Sequence, residues 1–294
     1  MKKLYGIMPP IATPFLNDEI AFDKLAENLS KWNKTELSGY VVMGSNGESV
    51  FITREEKLKL VEAVKRNISE EKLLIAGTGS DSVRDTISLT NDSAERGADY
   101  ALILTPSFYK SEMKPAAYVK YFFAVADKTT IPVIIYNVPK FTGVDIEAET
   151  VAKLSMHPNI VGIKNSAENL RQTAELVSMT DKNFSTIIGT GSVLYTSLSV
   201  GAVGGILALA NIAPNECVRI QKFVEEGNHT EALKLQQKLL PVNKVITAKY
   251  GVAGLKAALD MLGYFGGEPR LPLSPLQESD KEILKQVLTE AGLL

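Results

Sequence analysis

The feature that most constrains this chain is a regular alternation of short apolar, β-branched runs with amphipathic stretches. The runs are Gly39–Met43, Leu73–Ala76, Tyr100–Leu104, Val133–Tyr136, Ile160–Ile163, Ser185–Ile188 and Gly204–Ala208, and Gly6–Thr13 makes an eighth. Strands that are apolar on both faces and separated by helices belong to a parallel sheet covered by those helices. Between the runs, Leu60, Val61, Val64 and Ile68 recur at helical spacing behind Thr53-Arg54-Glu55-Glu56, a capping box. Val83, Ile87 and Ala94 line another helix, which Gly97 is placed to end. Eight such units over about 225 residues match a closed (β/α)8 (TIM) barrel better than a six-stranded open sheet.

From about Gly227 the strand signal stops. The expected division is a barrel over residues 1–227 and a helical extension over 228–294. The extension reads as three helices, near 229–247, 251–263 and 279–291, the last opening on Ser279-Asp280-Lys281-Glu282, a second capping box. No linker separates the two parts, so the extension is expected to pack on the barrel.

Bulk properties exclude several functions. The chain has 294 residues, 45% hydrophobic and 22% charged, enough for a sizeable core. Net charge is −2 with no basic block, which argues against a nucleic-acid partner. No apolar run reaches the roughly 18 residues of a membrane helix. Pro9 and Pro10 interrupt the apolar start, so no leader is read and a cytoplasmic location is expected. The lone Cys217 rules out an internal disulfide and fits a reducing compartment. Two histidines, without HExxH or CxxC, exclude a multi-histidine metal site. GxSxG and GxxxxGK[ST] are absent as well.

In a barrel of this kind, chemistry sits where strands end at their C-termini. Those positions hold Thr13, Gly44-Ser45-Asn46-Gly47-Glu48, Gly77-Thr78-Gly79, Thr105-Pro106, Tyr136-Asn137, Lys164-Asn165-Ser166 and Gly189-Thr190-Gly191-Ser192. The set is small and polar, with one amine and one phenol. An amine attacks a carbonyl only when neutral, and a low-dielectric barrel mouth disfavours the charged form. Lys164 is therefore the candidate nucleophile, although a lysine there equally serves as a solvated strand end. Tyr136 ends the neighbouring strand and is the candidate proton carrier, or else a core aromatic with a hydrogen-bonded hydroxyl. His157 precedes its strand and falls on the opposite face. The Gly44–Glu48 loop could form a nest of N–H groups for a carboxylate, with Glu48 more suited to holding the loop than to catalysis.

Two glycine motifs compete with this reading. Gly77-Thr78-Gly79 with Asp99 resembles part of a dinucleotide fingerprint, but Ser82 stands at the third glycine position and the motif follows the third strand. Gly189-Thr190-Gly191 follows the seventh strand, where barrels often bind phosphate.

Taken together, Gly44–Glu48, Tyr136-Asn137-Val138-Pro139 with Thr142-Gly143, Gly162-Ile163-Lys164 and Gly201-Ala202-Val203-Gly204-Gly205 resemble the class I pyruvate-type aldolases, the dihydrodipicolinate synthase and N-acetylneuraminate lyase family. The resemblance spans nearly the whole chain. It implies that Lys164 forms a Schiff base with a 2-oxo acid such as pyruvate, that Tyr136 relays protons with Ser45, and that Ser45, Asn46 and Gly47 hold the carboxylate. Thr13, Ser166, Gly189, Phe141 and Tyr109 are the further residues expected around a substrate. It also implies an aldehyde partner, no metal or organic cofactor, and a homotetramer built as a dimer of dimers.

Within that family the sequence looks most like the 4-hydroxy-2-oxoglutarate aldolase branch. It shares Gly44–Glu48, the stretch His157–Ser166, Ala208–Asn211, Gly254-Leu255-Lys256 and Gly263–Gly267 with it. Dihydrodipicolinate synthases carry two threonines where Ser45 and Asn46 stand and an arginine where Phe141 stands. A phenyl cannot make a bidentate carboxylate contact. The expected activity is cleavage or formation of a 4-hydroxy-2-oxo acid. The alternatives are the synthase, a sugar-acid lyase, and a non-catalytic 2-oxo acid binding protein. Phe108 departs from the family, which usually has a tyrosine there that completes the neighbouring subunit's relay; Tyr109 is the candidate substitute.

Overall fold

A computed structural model describes residues 2–294. Its eight main strands are β1 (Gly6–Met8), β2 (Gly39–Val42), β3 (Leu73–Gly77), β4 (Tyr100–Leu104), β5 (Val133–Asn137), β6 (Ile160–Asn165), β7 (Ser185–Ile188) and β8 (Gly204–Ile206). Neighbours in the chain are neighbours in the sheet, every pairing is parallel, and β8 returns to β1. The last gap is closed just past β1. Ile11 N donates to Val41 O at 2.9 Å and Val41 N to Pro9 O at 3.0 Å. The expected barrel is therefore present. The first strand is shorter than Gly6–Thr13, because Pro9 and Pro10 have no N–H to give to a ladder.

Helices α1 (Phe22–Trp32), α2 (Arg54–Asn67), α3 (Val83–Glu95), α4 (Pro115–Ala126), α5 (Ala148–Leu154), α6 (Leu170–Met179), α7 (Leu194–Ser199) and α8 (Pro214–Glu225) alternate with the strands. The capping box opening α2 forms: Thr53 Oγ1 accepts from Glu56 N while Glu56 accepts from Thr53 N. Gly97 ends the turn after α3 at φ +93°, a conformation glycine adopts without strain.

The barrel interior is filled by Met8, Val41, Ile75, Leu102, Ile134, Ile187 and Ile206, one from each of seven strands and all buried. Each is worth about 1.5–3 kcal/mol of transfer free energy. Side chains two residues apart share a face of a strand. Tyr136 therefore follows Ile134, and Lys164 follows Gly162, up the inside wall to the C-terminal mouth.

The extension contains α9 (His229–Asn243), α10 (Gly251–Met261) and α11 (Glu278–Glu290). A π-helical turn, Lys244–Lys249, carries α9 on toward α10. Leu239, Val242, Leu255, Leu259, Leu284 and Leu288 share one hydrophobic cluster with Leu25, Leu29 and Trp32 of α1. The capping box expected at Ser279 does not form. The helix starts at Glu278 behind Gln277, which makes no side-chain cap, so Ser279 already sits inside the first turn.

Candidate active site

β5 and β6 pair in register, with Tyr136 opposite Lys164. Lys164 lies within its strand rather than beyond it and is only 2% exposed. Its Nζ stands 4.1 Å from the centroid of the Tyr136 ring. Among the described residues, the buried lysine that meets a carboxylate is Lys256, at 2.6 Å from Glu48; Lys164 pairs with none. Lys164 instead lines a cavity of about 480 Å³ at the barrel mouth, together with Ser45, Asn46, Tyr136, Ser166 and Gly189. A second space, about 650 Å³ and more apolar, adjoins it across Ser45 and Tyr136.

Ser45 Oγ lies 3.4 Å from Tyr136 Oη, a loose contact of the kind that tightens when substrate arrives. Gly189 lets these groups converge. A Cβ there would sit 1.8 Å from Ser166 Oγ and 3.1 Å from Lys164 Cε. Ser166 Oγ is buried and has no protein partner.

The remaining expected residues divide. Thr13 and Gly47 lie behind the cavity: Thr13 Oγ1 donates to Gly47 O at 2.7 Å and so supports the loop that carries Ser45 and Asn46. Phe141 is on the cavity rim and 64% exposed. Tyr109 does not join the site within this chain. It is 70% exposed, stacks edge-on with Phe108, and lines neither cavity, because Asp81 Oδ1 accepts from Ser107 N and Phe108 N and holds the loop outward.

Behind the strand ends, Asn137 Nδ2 donates to Asp145 and Asn165, and Asn165 Nδ2 donates to Gln172. These bonds fix the turns after β5 and β6. Glu48 occupies a left-handed conformation, φ +56°, and is 1% exposed. Its Oε1 meets Lys256 Nζ and no other donor, and its Oε2 accepts from Arg270 N at 2.8 Å. Burial pushes the Lys256 amine below its ordinary value, against the opposing pull of Glu48. Glu48 thus holds its loop, as its position suggested. Lys256 and Arg270, which do the holding, come from the extension and carry no local signal of that role.

The two competing motifs come apart. Asp99 Oδ2 accepts from Leu74 N at the start of β3, while Gly77 ends that strand, so a dinucleotide loop and its acidic partner lie at opposite ends of the barrel. Near Gly189-Thr190-Gly191, the Glu168 carboxylate accepts from Thr190 Oγ1 at 3.0 Å and Ser192 Oγ at 2.8 Å, which disfavours a bound phosphate. Sequence reading did not single out Glu168 or Lys140, which both line the Lys164 cavity. His157 lies at the far end, against Asp127 at 3.0 Å. No group of three or more His, Cys, Asp or Glu able to hold a metal occurs among the described residues, and no helix there is long and apolar enough to cross a membrane.

A closed parallel barrel that gathers an unpaired lysine, a tyrosine and a serine at its C-terminal mouth is the arrangement of a barrel enzyme. The sequence pattern of the dihydrodipicolinate synthetase family matches residues 3–291, and the chain belongs to that family. It is 36% identical to the 4-hydroxy-tetrahydrodipicolinate synthase of Methanothrix thermoacetophila over 97% of this chain and 96% of that protein. It is 33% identical to a probable mitochondrial 4-hydroxy-2-oxoglutarate aldolase of Emericella nidulans, over 97% and 93%. The dihydrodipicolinate synthase of Aquifex aeolicus superposes with a TM-score of 0.94 at 30% identity, covering 99% of both chains. A prophage protein of the same family from E. coli K12, solved in complex with pyruvate, gives 0.93 at 27%, again over 99% of both. The named relatives include synthases and a probable aldolase, so the family is enzymatic.

Proposed function

We propose that the chain is a pyruvate-dependent, Schiff-base-forming enzyme that joins or cleaves a carbon–carbon bond between a 2-oxo acid and an aldehyde. One observation carries this: Lys164 is buried in the mouth without a counter-ion and opens onto a cavity beside Tyr136. Its Nζ attacks the 2-carbonyl, and the carbonyl oxygen leaves as water. Tyr136 gives its proton to the departing hydroxyl, and its phenolate then takes a proton from C3 while the C3–H electrons move toward the cationic imine nitrogen, leaving an enamine and a protonated Tyr136. The enamine carbon attacks the aldehyde carbon, and Tyr136 protonates the new alkoxide. In cleavage the same steps run backwards, with Tyr136 removing the 4-hydroxyl proton. Hydrolysis of the imine frees Lys164. In this reading Ser45 and Asn46, which line the same cavity, hold the carboxylate.

The aldehyde proposed first is a four-carbon one, L-aspartate 4-semialdehyde, whose carboxylate lies well beyond the reacting carbonyl, as in 4-hydroxy-tetrahydrodipicolinate synthesis. The names of the relatives support this, and so does Lys140, a cation on the cavity wall next to Phe141. A second reading, 4-hydroxy-2-oxoglutarate aldolase, is supported by Ser45-Asn46, by Phe141 and by the fungal relative. A homotetramer is part of the proposal: Phe108 and Tyr109 are apolar surface that another copy would cover. A monomeric dihydrodipicolinate synthase variant superposes on this chain with a TM-score of 0.95; sedimentation at the mass of four chains supports the tetramer and at the mass of one chain overturns it.

The test is borohydride reduction in the presence of pyruvate, followed by peptide mass spectrometry. A reduced adduct on Lys164 is expected. A folded protein with no adduct at any lysine overturns the proposal in favour of a binding protein. Turnover with L-aspartate 4-semialdehyde and with glyoxylate then separates the two activities.

A further inference from the structure

Glu168 follows Lys164 by four residues and stands just past the end of β6. Its backbone is left-handed, φ +54°, a conformation that costs a residue with a Cβ and that glycine would adopt freely. A side chain kept at such a position beside a cavity invites a functional account. The side chain reaches across to the turn after β7, where Thr190 Oγ1 and Ser192 Oγ both donate to Oε1, at 3.0 and 2.8 Å. Those two hydroxyls lie 2.7 Å apart, and Asn243 Nδ2 donates to Ser192 Oγ at 3.1 Å. The bonds fix one carboxylate oxygen and leave Oε2 without a donor among the described residues. A carboxylate only accepts hydrogen bonds, so its complement in a ligand must be a donor. Glu168 lines the Lys164 cavity, and so does Lys140, whose Nζ donates to Thr247 O at 3.0 Å. The space beyond the reactive amine therefore has a cation from the turn after β5 and an anion from the turn after β6.

We infer that Glu168 is a specificity-determining residue for the aldehyde, selecting one that carries an ammonium or hydroxyl group near its carboxylate. The inference rests on the proposed Schiff-base reaction and names what that reaction accepts. A ligand with only a carboxylate satisfies Lys140 and leaves Glu168 facing a negative charge. A ligand with a neighbouring donor satisfies both.

Three four-carbon aldehydes test this. Each has the aldehyde at one end and a carboxylate at the other; they differ only in the substituent at C2. Aspartate 4-semialdehyde has an ammonium, 2-hydroxy-4-oxobutanoate a hydroxyl, and succinate semialdehyde a hydrogen. The measured quantity is the ratio of kcat/KM values among them at saturating pyruvate, which cancels any loss common to all three. The wild type is expected to favour the ammonium compound over the unsubstituted one by about tenfold or more, one charge-assisted hydrogen bond's worth. Glu168→Ala is expected to bring the three within about threefold of one another, having removed that bond. Glu168→Gln keeps an acceptor oxygen but no charge; it is expected to lower the ammonium compound's advantage and to retain the hydroxyl's. An unchanged ratio in Glu168→Ala, or a wild type that prefers the unsubstituted aldehyde or consumes none of the three, overturns the inference. Borohydride trapping of pyruvate on the wild type keeps the two ideas apart. With no adduct on Lys164 the Schiff-base reading itself fails; with an adduct and an unaltered ratio, only the role of Glu168 does.

Discussion

Tyr136 and Lys164 stand opposite each other in register on adjacent strands, with the lysine Nζ 4.1 Å from the centre of the tyrosine ring. Both project inward by strand periodicity, at the last inward positions before the barrel opens. In the proposed reaction the pair would couple a nucleophile to a proton carrier without any flexible loop between them. Lys164→Ala is expected to abolish turnover and the pyruvate adduct while the thermal melt stays cooperative. Tyr136→Phe keeps the ring and loses the hydroxyl; turnover is expected to fall by roughly 10²-fold or more, the scale of general acid–base catalysis. A normal rate in Tyr136→Phe would remove that residue from the proton path.

Gly189 is the neighbour on which this geometry depends most directly. A methyl group there would meet Ser166 Oγ at 1.8 Å and Lys164 Cε at 3.1 Å, so the serine must rotate and the lysine must shift. An ångström of displacement at reacting atoms is worth about 10²-fold in rate. Gly189→Ala is expected to stay folded and to lose about that much in the single-turnover rate of pyruvate adduct formation. A wild-type trapping rate in this variant would mean that the lysine is not held where the structure has it.

The barrel itself was legible because apolar runs of four to eight residues, recurring eight times, leave few alternatives. That Lys164, Tyr136, Ser45 and Asn46 line one cavity was legible because the C-terminal strand ends of a barrel converge at its mouth. What stayed hidden depends on contacts between residues far apart in sequence. Lys256 and Arg270 reach Glu48 across more than two hundred residues, and nothing local to either predicts it. Glu168 carries no local sequence signal, because its left-handed backbone and its hydroxyl partners after β7 exist only once the strands are placed. Tyr109 comes from the family resemblance, as the candidate substitute for a tyrosine given to a neighbouring subunit; within one chain the loop anchored by Asp81 carries it to the surface, where such a role would need a second copy.

The Glu48–Lys256 pair is buried on both sides, 0% and 1% exposed at the side chains. Removing one partner leaves a charge with nothing to compensate it, at a cost of about 3–5 kcal/mol. Lys256→Met is expected to show a loss of that order in chemical denaturation. The Ser45–Asn46 loop should loosen with it and raise KM for pyruvate more than it lowers kcat. In Lys256→Met/Glu48→Gln neither charge remains, and the loss in stability should be smaller than in the single lysine variant. A double-variant loss equal to the sum of the Lys256→Met and Glu48→Gln losses would show that the two charges act independently.

Arg270 binds the strap after α10 to the barrel through Glu56, with a contact of 2.6 Å, and through Asp18 at 2.8 Å. Its guanidinium is the largest cause holding the Glu56 carboxyl at about 2 rather than 4.5; the hydrogen bonds from Thr53 add to it and burial opposes it. A carboxyl with a depressed value in the folded state contributes stability above its unfolded value and loses that contribution as pH falls through the folded one. The contribution of Glu56 is therefore complete above about pH 4.5 and is lost on the way down to about 2. After allowance for solvent screening it amounts to about 1–2 kcal/mol. Arg270→Met is expected to be less stable than the wild type by at least that much near neutral pH, with the two denaturation curves drawing together as pH falls from 4.5 toward 2. If the gap keeps its full size at the acid end, Arg270 stabilises the strap through packing on Phe15, 4.4 Å from its ring, rather than through the Glu56 charge.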